Sequence, residues 1–150
     1  MSETYEQLSD ERKALQAKGW LPDWYTTPAW QVFKSKYMVE GEEAVLGRHR
    51  TIAKTLARHM KGREAEWEEK FFNELWSGRL SPASPALANT GTKRGLMVSC
   101  SGQYVADSVD SFYTAMHETA ILSKYGFGTS ADFSGIRPRG SAISTGGKAN

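Results

Sequence analysis

The sequence has few of the features that would place it in a membrane or an oxidising compartment. It contains a single cysteine among 150 residues, which excludes an internal disulfide and fits a reducing cytosol. No run of 18 apolar residues is present, so no segment could cross a bilayer as a helix. The first residues, Met-Ser-Glu-Thr-Tyr-Glu, lack the basic and apolar regions of a signal peptide. These absences predict a cytoplasmic chain without a membrane partner.

The chain also lacks a large excess of either charge. It has 19 basic and 17 acidic residues, a formal net charge of +2, so nothing global favours a nucleic-acid partner. The charges are uneven, because residues 48–63 are basic without an acid and residues 64–69 are rich in glutamate. We interpret both runs as a solvated helix face. The alternative, an anion or nucleic-acid surface, lacks the interleaved aromatic residues of a single-strand groove.

A metal site is not expected either. The three histidines, His49, His59 and His117, have no cysteine or carboxylate at ligand spacing. We therefore predict that they are helix-surface or packing residues.

The first half of the sequence does contain helical periodicity. It predicts helices over residues 9–18 with Ser9 as N-cap, from an N-cap at Thr27 onward, over 42–60 and over 64–76. The last of these has the strongest apolar face, and Gly78 can end it. Residues 1–78 are thus predicted to form an all-helical domain with no catalytic constellation of its own.

The pattern changes after residue 78. Residues 81–86 are predicted to be a loop, because each of their prolines disfavours helix at the residue before it. Residues 96–105 are apolar or small and predict a strand buried on both faces, with Cys100 in its middle.

A helix and a second strand are predicted next. Asp107 is the expected N-cap, the helix should bury an apolar face containing Phe112 and Met116, and residues 129–133 should form the strand. Strand, helix and strand over this length predict a βαβ unit with parallel strands. Two strands cannot cover two sheet faces, so residues 79–150 are predicted to be the opening of a larger α/β domain that is cut off early.

Six short motifs occur in order through this second half. They are Ser84-Pro-x-Leu-x-Asn-x-Gly-Thr, Ser99-Cys100, Asp107-Ser108-Val109, Leu122-Ser-Lys124, Gly135-Ile-Arg137-Pro-Arg-Gly140-Ser141 and Gly146-Gly147-Lys148. Together they resemble the large (α) subunit of ribonucleotide reductases, closely over residues 70–150 and loosely before that. The resemblance implies an α+β to α/β chain in which a helical domain, 1–78, precedes the first βαβ elements of the reductase barrel, 79–150.

The resemblance implies a redox role for Cys100. It matches the cysteine of the first barrel strand, which supplies reducing equivalents at the ribose 2′ position and forms a disulfide with a cysteine of a later strand. A thiol suits this role because exchange regenerates it. The competing interpretation is an inert, buried small hydrophobe. Ser84 and Ser99 match substrate-binding positions, although each could equally bond its own backbone.

The resemblance also implies a site for a specificity effector, a deoxynucleoside triphosphate or ATP. An arginine can grip phosphate with two hydrogen bonds, and a carboxylate can accept from a sugar hydroxyl. The plainer interpretation makes the acid an N-cap and the cations surface residues. In this family the site lies at a dimer interface, so a second α subunit is an expected partner. The matching positions are Asp107, Ser108, Val109, Lys124, Arg137, Ile143, Ser144 and Thr145.

Activity would need more than this chain. With one cysteine, it lacks both the radical-bearing cysteine and the disulfide partner of Cys100. The resemblance therefore implies part of a ribonucleoside-diphosphate reductase, split or truncated, that assembles with the C-terminal remainder of the α subunit. The radical would come from a small subunit or a cobalamin cofactor, and no ATP-binding cone segment is recognisable. The alternatives are a nucleotide-binding regulator of a full-length reductase and a helical interaction protein unrelated to nucleotides.

Overall fold

The structure is a computed structural model that describes residues 3–149. The chain separates into two compact units, one ending at Met97 and the other beginning at Val98. Among the described residues, no helix is both long enough and apolar enough to cross a membrane. The elements in chain order are α1 Tyr5–Ala17, α2 Thr27–Lys36, α3 Ala44–Ala57, α4 Glu64–Trp76, α5 Ser84–Asn89, β1 Cys100–Tyr104, α6 Val109–Lys124 and β2 Gly128–Asp132.

The first unit is built on aromatic and aliphatic packing between helices. Trp30 and Phe33 of α2 are almost fully buried, with ring centroids 6.1 Å apart, and Phe72 of α4 stacks on Trp76 at 5.5 Å. Such rings remove a large apolar area from water, which is the main stabilising term in a small helical domain. The predicted all-helical beginning of the fold is confirmed.

Two predicted helix starts are wrong by a few residues. α1 is capped by Thr4 rather than Ser9, because Thr4 and Gln7 form a reciprocal capping box. α2 is capped by Thr26 rather than Thr27, since the Thr26 side chain accepts from the Ala29 N–H. By contrast, α4 spans residues 64–76 as predicted, and Gly78 follows it with a φ of +73°.

The prediction of a solvated face over the basic run is wrong at its start. Arg48 is 0% exposed. Its guanidinium donates one hydrogen bond to the Glu42 carboxylate, at 2.9 Å, and another to the Thr90 carbonyl. His49 is buried against Trp76 in an edge-on contact. Both side chains point into the unit because α3 turns this face toward α4 and the segment after α5, whereas Arg58 and His59 are exposed.

The segment predicted as a loop over residues 81–86 contains the start of α5. The Pro85 ring is tolerated because it lies in the first turn, where its missing N–H has no helical partner. The end of α5 is fixed to the first unit, since Arg48 binds Thr90 and a Cβ at Gly91, with a φ of +74°, would lie 2.6 Å from the Thr55 hydroxyl. The compact units therefore divide between residues 97 and 98, whereas the sequence predicted a domain boundary between 78 and 79.

The second unit is the βαβ element. β1 and β2 pair in parallel, from Cys100 opposite Gly128 to Tyr104 opposite Asp132, with α6 between them in sequence. This confirms the predicted start of an α/β barrel. The expected burial is not observed in this chain, because only two strands form a sheet within residues 3–149. β1 starts at Cys100 and is open to solvent, and α6 has no buried residue along its described length.

Candidate functional site

One cavity of the second unit gathers most of the expected effector residues. It has a volume of about 400 Å³ and lies between the start of α6 and the segment after β2. Four further residues complete its lining: Phe112, Ile136, Arg139 and Ala149. The expected residues that line it are Asp107, Ser108, Val109, Arg137, Ile143, Ser144 and Thr145.

The start of α6 is fixed by two serine hydroxyls. Ser108 is the N-cap and accepts from the Ser111 N–H at 3.2 Å, while the Ser111 hydroxyl accepts from the Ala106 N–H at 2.9 Å. The prediction that Asp107 caps this helix is therefore wrong. Because the hydroxyl of Ser108 satisfies the helix end, the Asp107 carboxylate is available to the cavity.

Asp107 instead forms an ion pair with Arg137. The Arg137 Nε donates to the Asp107 carboxylate at 2.5 Å, and Nη1 donates to the Ala142 carbonyl at 3.2 Å. One guanidinium thus ties the residue before α6 to the segment after β2, across 30 positions of sequence. Charge-assisted bonds of this kind fix geometry as well as adding stability.

The loop over residues 140–149 closes the other side of the cavity. Its two ends are joined by hydrogen bonds from the Gly140 N–H to the Ala149 carbonyl, 2.8 Å, and from the Ala149 N–H to the Ser141 carbonyl, 2.9 Å. Nearer the tip, the Ile143 N–H donates to the Gly147 carbonyl at 3.0 Å. Ser144 and Thr145 are consequently presented on a closed turn rather than on a free strand of chain.

Lys124 does not join this cavity within the chain. It is exposed in the last turn of α6, whereas the cavity surrounds the first turn. A helix of 16 residues is about 24 Å long, which no lysine side chain spans. Its role as an effector-binding residue stays a prediction.

Cys100 lies at the start of β1 in a separate cleft of about 350 Å³. Ser101, Gly102 and residues 128–130 form the rest of this cleft. The thiol is free and exposed, and its sulfur lies 3.6 Å from the Ser99 hydroxyl. The buried, mid-strand position predicted for Cys100 is wrong, because β1 begins here and no third strand covers it among the described residues. An exposed thiol is open to exchange with a second thiol, whereas a buried one is not.

The two expected substrate serines lie in different units. Ser84 begins α5, and its hydroxyl is 2.7 Å from the Tyr37 hydroxyl. The Ser99 carbonyl accepts from the Gly128 N–H at 2.7 Å and extends the ladder between the strands. Thus the Ser84 side chain and the Ser99 backbone each already form a hydrogen bond within their own unit.

Sequence reasoning missed two polar residues at these sites. Tyr37 shares the apolar face of Trp30 and Phe33, so its hydroxyl contact with Ser84 left no signal in the pattern. Arg139 lies inside the motif around Arg137, and the alternation of two arginines with Pro138 could have indicated it.

Comparison with known proteins agrees with both units. The family model described as ribonucleotide reductase, all-alpha domain, matches residues 23–95, and the one described as ribonucleotide reductase, barrel domain, matches residues 98–150. Successive domains of one enzyme family thus account for most of the sequence in the same order. The chain belongs to the ribonucleotide reductase large-subunit family.

Individual relatives are similar at moderate identity. The vitamin B12-dependent ribonucleoside-diphosphate reductase of Mycobacterium tuberculosis is 34% identical over 102 residues, covering 67% of this chain and 15% of the relative. The ribonucleoside-diphosphate reductase subunit alpha of Chlamydia pneumoniae is 33% identical over 77 residues, 51% of this chain and 7% of the relative. A solved structure, the class Id ribonucleotide reductase alpha subunit of Actinobacillus ureae, is 37% identical with a TM-score of 0.68, covering 83% of this chain and 24% of that one. The chain thus spans a quarter or less of each.

Proposed function

We propose that this chain contributes the first part of a catalytic α subunit that reduces ribonucleotides to deoxyribonucleotides for DNA precursor synthesis. The observation that carries the proposal is the second unit itself, which holds an exposed cysteine at the start of β1 and a cavity of about 400 Å³ at the start of α6. Family membership supplies the reaction class, and the names of the relatives favour nucleoside diphosphates as substrates.

In this proposal Cys100 is one of two thiols that provide the electrons. Reduction replaces the ribose 2′ hydroxyl by hydrogen and releases water, while two thiols become a disulfide. The second thiol and the radical-bearing cysteine must come from outside residues 1–150, because Cys100 is the only cysteine in the sequence. Ser84 and Ser99 are each proposed as substrate-binding residues, as the family resemblance implies.

The same proposal names the partners. The unpaired edges of the β1–β2 sheet would receive the remaining barrel strands, since an open parallel pair is not stable when exposed on both faces. A deoxynucleoside triphosphate or ATP would occupy the cavity at Asp107, and a second α subunit would cover α6. Lys124 would then reach a nucleotide only across that dimer. The radical would be supplied by a small subunit or by a cobalamin cofactor.

The test is reconstitution with the missing barrel segment. The full chain is mixed with a polypeptide carrying the rest of the α subunit and a radical source, and conversion of a ribonucleoside diphosphate is followed with a dithiol reductant. Reduction should need both polypeptides. Cys100→Ser should abolish repeated turnover, whereas Ser101→Ala, a change in the same cleft, should leave it nearly unchanged. Undiminished turnover by Cys100→Ser would contradict the proposal.

A second candidate function is favoured because the cavity at the start of α6 and the cleft that contains Cys100 are separate sites. The cavity is lined by this chain's own residues, whereas Cys100 needs a second thiol from elsewhere. The chain could therefore bind a nucleotide and regulate a full-length reductase without reacting. Cys100→Ser distinguishes the two functions, because a regulator would keep its effect on the full-length enzyme after this change.

A further inference from the structure

The segment over residues 84–97, which begins with the proposed substrate-binding Ser84, is tied to the helices of the first unit at several points. At its beginning, the Ser84 hydroxyl is 2.7 Å from the Tyr37 hydroxyl. In its middle, the Thr90 carbonyl accepts a hydrogen bond from the buried Arg48. A third tie, made by an exposed arginine, holds the part of the segment that follows α5.

This third tie runs from Arg94 to the end of α2. Arg94 Nη1 donates to the Met38 carbonyl at 2.8 Å, across 56 positions of sequence. Met38 directly follows Tyr37, the C-cap of α2. Carbonyls at the C-terminal end of a helix lack helical donors and carry partial negative charge, so a guanidinium suits this position. Two consecutive residues at the end of α2 therefore contact the segment at Ser84 and at Arg94.

Arg94 is coupled to α5 through a closed turn. Asn89, the last residue of α5, donates from Nδ2 to the Leu96 carbonyl at 2.8 Å. The Asn89 carbonyl accepts from the Thr92 hydroxyl at 2.9 Å, and that hydroxyl accepts from the Arg94 N–H at 3.1 Å. These bonds fold residues 89–96 back on themselves. Restraint of Arg94 is thereby passed to α5, the helix that Ser84 begins.

The Arg94 contact is poorly placed to stabilise the unit as a whole. Arg94 is exposed, and substitutions at exposed positions usually change the free energy of unfolding little. Burial lowers the pKa of Arg48, the Glu42 carboxylate opposes this effect, and the Arg94 charge adds to it. The two cations thus repel each other. What Arg94 supplies is local order in the segment after α5.

We propose that Arg94 is a positioning residue for substrate binding, which holds α5 in place so that Ser84 stays beside Tyr37. The inference rests on the proposed function and deepens it, because it assigns the order of the substrate-binding segment to a residue that need not touch the substrate. Without this tie, the nucleotide would have to order the segment as it binds, and that entropy weakens affinity. Cys100 lies in the other unit, so the chemical step should be unaffected.

The test uses the reconstituted enzyme with a ribonucleoside diphosphate. Arg94→Ala should raise the KM by about 3- to 10-fold with little change in kcat, the range expected for one exposed charged hydrogen bond. Arg94→Lys should recover most of the loss, because an ammonium can also donate to one carbonyl. The matched control is Lys93→Ala, which removes the neighbouring exposed cation and should leave both constants unchanged. An equal rise in KM for Lys93→Ala would indicate a general charge effect and contradict the inference.

A second measurement needs no partner polypeptide. In the chain alone, Arg94→Ala should speed amide hydrogen exchange in α5 and leave α4 unchanged, whereas Lys93→Ala should alter neither. If the wild type is active after reconstitution and Arg94→Ala keeps its KM, or if exchange in α5 does not change, the inference is overturned while the proposed function stands. If the reconstituted wild type reduces no ribonucleotide, the proposed function fails and this inference fails with it.

Discussion

At the scale of single residues, His49 shows how burial sets a charge state. It is 4% exposed, packs edge-on against Trp76 with ring centroids 6.3 Å apart, and neighbours Arg48. Burial, and then the Arg48 charge, lower its pKa to about 4. The unfolded chain has the ordinary histidine pKa of about 6.5, so it binds more protons than the folded chain between these values. Stability is therefore complete above about pH 6.5 and falls as the pH falls toward 4.

This difference predicts a pH-dependent loss of stability that His49→Gln removes. At 1.36 kcal/mol per pH unit, the two pKa values correspond to about 3 kcal/mol lost between pH 6.5 and 4. Urea unfolding of the wild type and of the variant at several pH values measures it, and the difference between the two proteins isolates this residue from the carboxylates. His59→Gln, at an exposed position, should behave as the wild type. Parallel pH curves for His49→Gln and wild type would contradict the prediction.

Tyr37 is a second residue whose contact leads to a prediction, because it touches a serine proposed to bind the substrate. Its hydroxyl is 2.7 Å from that of Ser84, so it can fix the rotamer of a proposed substrate-binding group. In the reconstituted enzyme, Tyr37→Phe should raise the KM for the nucleotide substrate by about 2- to 10-fold with little change in kcat, the range expected for one hydrogen bond. Tyr5→Phe, an exposed tyrosine of α1, is the matched control. An unchanged KM would mean that Ser84 needs no positioning.

At the scale of elements, Arg48 joins α3 to the end of α5. It is completely buried and bridges the Glu42 carboxylate to the Thr90 carbonyl. Both Glu42 Oε2 and Arg48 Nε are buried without a partner among the described residues, so the cluster already carries unsatisfied polar atoms. α5 itself is only six residues long and has no side-chain N-cap, so tertiary contacts must hold it.

Removal of the Arg48 side-chain charge should therefore destabilise the first unit strongly. Arg48→Met leaves the Glu42 carboxylate and the Thr90 carbonyl buried without their donor, which costs about 3 to 5 kcal/mol. The free energy of unfolding from urea titration measures this, with Arg58→Met as a control expected within about 0.5 kcal/mol of wild type. A loss below about 1 kcal/mol for Arg48→Met would show that water replaces the guanidinium.

The elements also differ in how far sequence could predict them. α4 was predicted to the residue because Trp67, Phe71 and Leu75 repeat at helical spacing and Gly78 ends the pattern. α5 was missed because Pro85 was interpreted as a breaker, although the first turn of a helix tolerates proline. The Asp107–Arg137 pair could not be predicted from composition or spacing, since it joins positions 30 residues apart that only the fold brings together. Burial of β1 was overestimated because only two strands form a sheet within residues 3–149, which leaves β1 without a third strand to cover it.

At the scale of the whole molecule, the two units have unequal interiors. The first has a contiguous core of aromatic and aliphatic side chains. In the second, Val105 is the only buried residue within residues 98–149, and Met116, Ile121 and Phe133 remain exposed. Stability follows buried apolar area, so the second unit should open far more readily than the first.

Amide hydrogen exchange should reveal this difference. Amides of α3 and α4 are expected to exchange at least about tenfold more slowly than those of β1 and β2 in the chain by itself. Addition of the polypeptide carrying the rest of the α subunit should slow exchange in β1 and β2 and leave α3 unchanged. Equal protection of both units in the chain alone would contradict the prediction.

The short length of β1 has a consequence for communication between the two candidate sites. Cys100 begins the strand, Tyr104 ends it, and the cavity residues Asp107 and Ser108 follow after Val105 and Ala106. Five strand residues rise roughly 16 Å in total. A nucleotide that shifts the start of α6 would also displace β1, the strand that carries the thiol, because a short backbone segment connects the two elements. If the proposed function is right, a single stretch of extended backbone connects the effector cavity with the thiol.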